Sequence, residues 1–144
     1  MKQLIVCAAL LPLLLAFVLQ FMLMEERYAA VTRSEGAARS AAERAAYEGG
    51  FSAENEARLR SEIASAFHIS ADRVEMELDR RPGEAGGTIY YAIRIPTGKI
   101  LAVPRLFGVS PRENEGVFEI RGAVQNLLYW REVEAEPEGA EDER

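Results

Sequence analysis

Residues 4–24, "LIVCAALLPLLLAFVLQFMLM", contain a single clearly polar side chain, Gln20. At about 1.5 Å per residue, a helix of this length matches the roughly 30 Å hydrocarbon core of a bilayer. A secretory signal has a shorter apolar region followed by a small-x-small cleavage site. The nearest candidate here, Tyr28-Ala29-Ala30, has a bulky residue where a small one is needed. The run therefore reads as an uncleaved anchor, with the lipid bilayer as its first partner.

Two residues inside the run are open to more than one reading. Pro12 removes a helix donor, which membrane helices tolerate better than soluble ones, so it marks either a kink or a harmless position near the helix start. Gln20 either hydrogen-bonds another membrane helix or sits near the outer interface. Cys7 is the chain's one cysteine, so no intrachain disulfide or cysteine metal cluster can form. Lipid attachment would need the apolar stretch ahead of it and a small residue just before it. Here Val6 precedes Cys7 and the stretch follows, so Cys7 reads as an apolar side chain facing lipid or a neighbouring helix.

The 144 residues carry a formal net charge of −6, which argues against a nucleic-acid partner, because phosphate binding wants a basic stripe. By the positive-inside rule, Lys2 before the run is outweighed by Arg27 and Arg33 after it. An N-terminus in the cytoplasm with the domain outside is nevertheless expected, from the short tail and from the resemblance described below.

From residue 25 to 47 the chain is rich in alanine, has no proline and contains only Gly36, so helix propensity stays high. Glu35, Arg39 and Glu43 form an i, i+4 row of alternating sign, a solvated face. Ala30, Ser34, Ala37, Ala41 and Ala45 fall on another face at spacings of three and four. That stripe of small residues permits close helix approach but buries little area per residue. Its occupant is either a copy or relative of this chain, or the chain's own domain.

After Gly49-Gly50, Ser52 is a candidate N-cap with Glu54 and Glu56 in the first turn, and Ala57, Leu59, Ile63, Ala64 and Phe67 keep a helical period to about His68. Val74, Met76 and Leu78 alternate with Glu75, Glu77 and Asp79, which predicts a half-buried strand. "PGEAGG" is a turn, and "TIYYAIRIP" places Ile89, Tyr91, Ile93 and Ile95 on one face of a second, antiparallel strand. "GKILAVPRLFGVSP" reads as short strand or loop, and its apolar residues Ile100, Leu101, Val103, Leu106 and Phe107 are expected to cover the core, the alternative being a partner surface. "GVFEIRGAVQNLLYW" predicts a last strand or pair of strands. The acidic tail after Trp130 has no apolar period and is expected to be disordered.

The fold class expected is α+β: a long N-terminal helix, first membrane-spanning and then an alanine-rich stem, followed by a small domain with one helix and a mainly antiparallel sheet. The parts are an anchor at 1–24, a stem at 25–50, a domain at 51–130 and a tail at 131–144.

Chemistry is hard to find in this sequence. His68, the one histidine, sits where a helix should end, a place for a cation at the helix C-terminus, not for a base without partners. No phosphate-binding loop, dinucleotide fingerprint or histidine-based metal spacing occurs. Glu75, Glu77 and Asp79 could form a hard-metal site, but an amphipathic strand's solvent face has the same pattern. No cofactor and no metal is expected.

The stretch "ALLPLLLAFVLQFMLMEERYAAVTRSEGAARSAAERAA" resembles the N-terminal region of TadE-like minor pilins of tight-adherence pilus systems. The features that carry the resemblance are Leu11-Pro12-Leu13-Leu14-Leu15 in the apolar run and the helix continuing into "AARSAAERAA" at 37–46; they cover about the first third of the chain. Family members usually have a basic leader and processing site before the run and a glutamate early in it. Here Met1-Lys2-Gln3 precede it and Val6 stands at the glutamate's place. The resemblance implies a pilin-like protein without enzymatic activity, whose helix joins other pilin-like subunits or pilus assembly proteins. Pro12, Gln20, Ala30, Ser34, Ala37, Ala41 and Ala45 are then the helix-packing positions. The alternative is a membrane-anchored extracytoplasmic binding module unrelated to pili.

Overall fold

In the computed structural model, which describes residues 2–80 and 86–128, the expected α+β architecture is present. One helix, α1 (Lys2–Glu48), runs unbroken for 47 residues, through Pro12. It stops where Gly49 takes a left-handed conformation (φ 82°) that a Cβ would disfavour. Helix α2 (Ala53–Ala66) begins at Ser52, whose side chain accepts from the Asn55 amide, as the capping pattern predicts. A 3₁₀ turn at Ala71–Arg73 leads into β1 (Glu75–Leu78), and β2 (Thr88–Lys99) and β3 (Glu115–Gln125) complete a three-stranded antiparallel meander in the order β1-β2-β3.

The hairpin register agrees with the alternation in the sequence. Met76 pairs with Ile93 and Leu78 with Tyr91, so the apolar residues of both strands share the inner face. Most of the turn between them, at 82–85, and the acidic tail at 131–144 lie outside the described residues. Strand β2 runs on past Ile95 through Pro96, which has no β1 neighbour, because β1 pairs only as far as Arg94. The β2–β3 register then shifts between Pro96 and Gly98, leaving Thr97 unpaired; Gly98 supplies the positive φ (70°) of this bulge.

The core lies between the helices and the inner face of the sheet. Leu59 and Ile63 of α2 meet Ile89, Ile93 and Ile95 of β2 and Ile120 of β3, and burial of each large aliphatic side chain contributes about 1.5–3 kcal/mol. Phe51 packs edge-on against Tyr91, ring centroids 6.0 Å apart. Ala57, expected on the apolar face of α2, is exposed.

The second half of α1 belongs to this core. Ala38, Ala41, Ala42 and Ala45 sit inside the same cluster, and α1 packs most extensively on α2. The stem stretch from Ala38 to Ala45 therefore shares one core with α2 and the sheet. Asn55, itself buried, donates from Nδ2 to the Ala41 carbonyl (2.8 Å), and the Leu127 amide donates to the Ala46 carbonyl (2.8 Å). Both bonds reach the backbone of α1 itself, one from a side-chain amide and one from a backbone amide, an approach that alanine permits and a larger side chain would prevent.

Candidate functional site

The first half of α1 has an opposite character. One helix among the described residues is long and apolar enough to cross a membrane, and none of its most apolar 18-residue window is buried. Leu11, Leu14, Phe17, Phe21 and Met22 are all more than 60% exposed. Such a row is stable in water only if something apolar covers it.

One face of this bare stretch is partly covered, and by the chain itself. Segment 97–107 folds down beside α1. Gln20 clasps it with both ends of its amide: Nε2 donates to the Ile100 carbonyl (3.2 Å) and Oε1 accepts from the Ala102 amide (2.9 Å). Two turns further along the same face, Arg27 Nη2 donates to the Thr97 hydroxyl and carbonyl (2.5 and 3.3 Å). The bulge at Thr97 makes the second clasp possible. Gly116 makes room for it: a Cβ there would stand 2.8 Å from Thr97 Oγ1 and 3.2 Å from the guanidinium. Asn114, buried at the start of β3, accepts from the Leu101 amide and donates to the Leu101 carbonyl, closing the loop's base.

Beyond the clasp, Pro104–Phe107 forms a 3₁₀ turn. A small cleft of about 90 Å³ separates it from the helix, lined by Leu13, Phe17, Gln20, Leu101, Leu106 and Phe107. The expectation that this loop covers the domain core is corrected by the structure. Leu106 and Phe107 are 54% and 61% exposed, and Leu101 and Val103 turn toward α1. The strand ladder and α2 already close the core, so the loop's apolar residues find their neighbour on the anchor helix.

The positions singled out in the sequence divide between the two halves. Pro12 is exposed in the bare half, within an uninterrupted helix. Gln20, read as a bond to another membrane helix or an interfacial residue, has both polar ends taken by the loop backbone. Ala30, Ser34, Ala41 and Ala45 are buried and Ala37 is half-buried, all on the face that meets the chain's own domain. Of the two occupants the sequence left open for that stripe, the chain's own domain is the one in place. Arg27, Thr97, Asn114 and Gly116 were not singled out. An arginine one residue past two glutamates gives no sign of a contact 70 residues away.

The Ser34 hydroxyl is buried without a hydrogen-bond partner among the described residues. Most of the ion pairs are exposed, and Glu56, largely buried, bridges Arg60 and Arg80. Hydrogen bonds from Arg121 and Arg94 hold the Glu119 carboxyl below its usual range, Ser70 does the same for Asp72, and Ser110 for Glu113. Glu75, Glu77 and Asp79 are exposed, and among the described residues no group of three histidine, cysteine, aspartate or glutamate side chains is placed to hold a metal. His68 lies exposed just past α2 with φ 53°. A concavity of about 560 Å³ on the sheet, between Glu77, Asp79, Tyr90 and Arg121, is an open dish.

No protein-family profile, curated protein or solved structure matches this chain. The bare helix and the loop clasped to it are therefore interpreted on their own geometry.

Proposed function

We propose that this chain is a membrane-anchored, pilin-like structural or assembly protein of a tight-adherence type pilus or secretion system. It acts through helix packing, with its N-terminus in the cytoplasm and its domain outside. The observation that carries this reading is the division of α1: one continuous helix is bare and apolar at one end and the spine of a small α+β domain at the other. The Leu-Pro-Leu run and the alanine-arginine stem support it from the sequence. Because the alanine stripe is already occupied within the chain, the surface offered to other subunits is the bare half, around Leu10, Leu14 and Phe21.

A membrane-anchored binding module is the second reading, favoured by the packing of the stem on its own domain. The cleft under Leu106 and Phe107, at about 90 Å³, is far below the 300–1,000 Å³ of typical small-molecule sites, so the apolar surface at those two residues is not the pocket of such a module. A photo-crosslinking side chain at Leu14 or Phe21, in native membranes, distinguishes the two. Adducts with other anchored helices are expected for the pilin-like protein. Adducts with lipid alone, from a folded chain, would leave the binding module. A reporter fused after Tyr47 that works only in the cytoplasm would overturn the topology.

A further inference from the structure

We infer that the loop at 100–109 is a second membrane-embedded element, inserted into the leaflet on the domain's side and stapled to the anchor helix by Gln20. This rests on the reading of residues 4–24 as a membrane span.

The depth of the contact is the first argument. Gln20 lies four residues before Met24, about 6 Å along the helix axis, and Leu13 lies about 16 Å before it. A span that keeps residues 4–24 in hydrocarbon therefore draws the loop below the membrane surface. Raising the helix until the loop stood in water would expose Leu14, Leu15, Phe17, Phe21 and Met22, at a cost of about 1–3 kcal/mol each. Embedding the loop instead removes Ile100, Leu106 and Phe107 from water, all three exposed in the protein alone. The apolar surface of the loop is continuous with that of the helix across the cleft they share.

The backbone provides the second argument. Irregular chain is tolerated in hydrocarbon only where its polar groups are satisfied within the protein. Here the Ile100 amide donates to the Asn114 carbonyl, the Leu101 amide to Asn114 Oδ1 and the Ala102 amide to Gln20 Oε1. Further along, Leu106, Gly108 and Val109 donate to Val103, Arg105 and Pro104 carbonyls, and Pro104 has no N–H to satisfy; the Val103 and Arg105 amides make no such bond among the described residues, so the loop's backbone is largely and not wholly satisfied. The polar residue of the apolar run thus serves the loop's backbone. Arg105 is the loop's one charged residue, and a side chain of this kind lays its apolar stem along apolar surface with its charge directed toward the headgroups. Lys99, Arg105 and Arg112 are nearly balanced by Glu113 and Glu115, so insertion is driven by apolar area more than by charge.

The test uses the full chain with Cys7→Ser, reconstituted in phosphatidylcholine vesicles and carrying one nitroxide at Leu14, Tyr90, Leu106 or Phe107. Collision with oxygen and with a polar nickel chelate is measured by electron paramagnetic resonance. Labels at Leu106 and Phe107 are expected to match Leu14, with an oxygen-to-nickel ratio several-fold above that at Tyr90 on the outer face of the sheet. Loop labels that behave like Tyr90 while Leu14 stays lipid-like would overturn the insertion and leave the span intact. A water-like Leu14 would overturn the span itself, and the insertion with it. Loop labels shielded from both reagents would mean that protein, such as a second copy, covers the loop, which also overturns lipid as its occupant. Gln20→Leu should shift the loop labels toward the Tyr90 value; no shift would remove Gln20 as the staple.

Discussion

Helix α1 is uniform in secondary structure and divided in everything else. Before residue 25 its faces carry leucine, phenylalanine and methionine, and these side chains are bare. After residue 29 it carries alanine and serine on one face, and those side chains are among the most buried in the protein. The half with large apolar side chains meets only the loop at 97–107 on one face, and the half with small ones packs closely on the domain. Burial in this chain follows the available geometry more than hydrophobicity. A large side chain faces lipid without needing a shaped counterpart, whereas alanine gains little by area alone and is useful where another segment must reach the helix backbone, as it does at Asn55 and Leu127.

The sharpest way to break this contrast is to make one substitution in both halves, in the full chain held in detergent micelles. Ala45→Asp places a carboxylate at a position with no exposure, and an unpaired buried charge costs several kcal/mol, a large share of a small domain's stability. Loss of the cooperative thermal transition is expected. Leu14→Asp should leave that transition in place and weaken membrane insertion instead, by about 3–4 kcal/mol at the middle of a span. Equal loss of the melt in both variants would show that the bare half also supports the domain.

A milder test asks whether the seam tolerates volume. Ala41→Leu should lower domain stability by about 1–3 kcal/mol, because the added side chain would force α1 away from α2 and the Asn55 bond. Leu14→Ala should leave the melting temperature unchanged. If Ala41→Leu leaves the melt intact and disturbs crosslinking between copies, the stripe faces another chain in the assembled state.

The smallest effect is expected at Ser34. Its hydroxyl is buried and unpartnered, so Ser34→Ala keeps the close contact and removes a desolvated polar group. Thermal melts should show no loss, or a gain of up to about 1 kcal/mol. A clear destabilisation would mean that the hydroxyl has a hydrogen-bond partner.

Much of this architecture was legible in local pattern. The Ser52 cap, the alternation at Val74 to Leu78 and the isoleucines of β2 each follow from side-chain period, which is a property of neighbours in the chain. The site was less legible. The clasp joins Gln20 to residues 80 positions away and Arg27 to a threonine displaced by a bulge, and Gly116 and Asn114 matter only because that clasp passes beside them. No periodicity reports such a meeting. The loop at 100–109 was expected over the core for the same reason: its apolar residues call for a partner, and composition does not say which.

The sequence by itself determined that this chain has one run able to span a bilayer, a helix continuing beyond it, and strands with one apolar face each, because those depend on length, propensity and period. Only the tertiary structure decided what each face meets. It seated the alanine stripe on the chain's own domain and turned the loop onto the anchor helix. The physical reason is that shape and backbone hydrogen bonds, not hydrophobicity alone, select among apolar partners, and both exist only once distant segments are brought together.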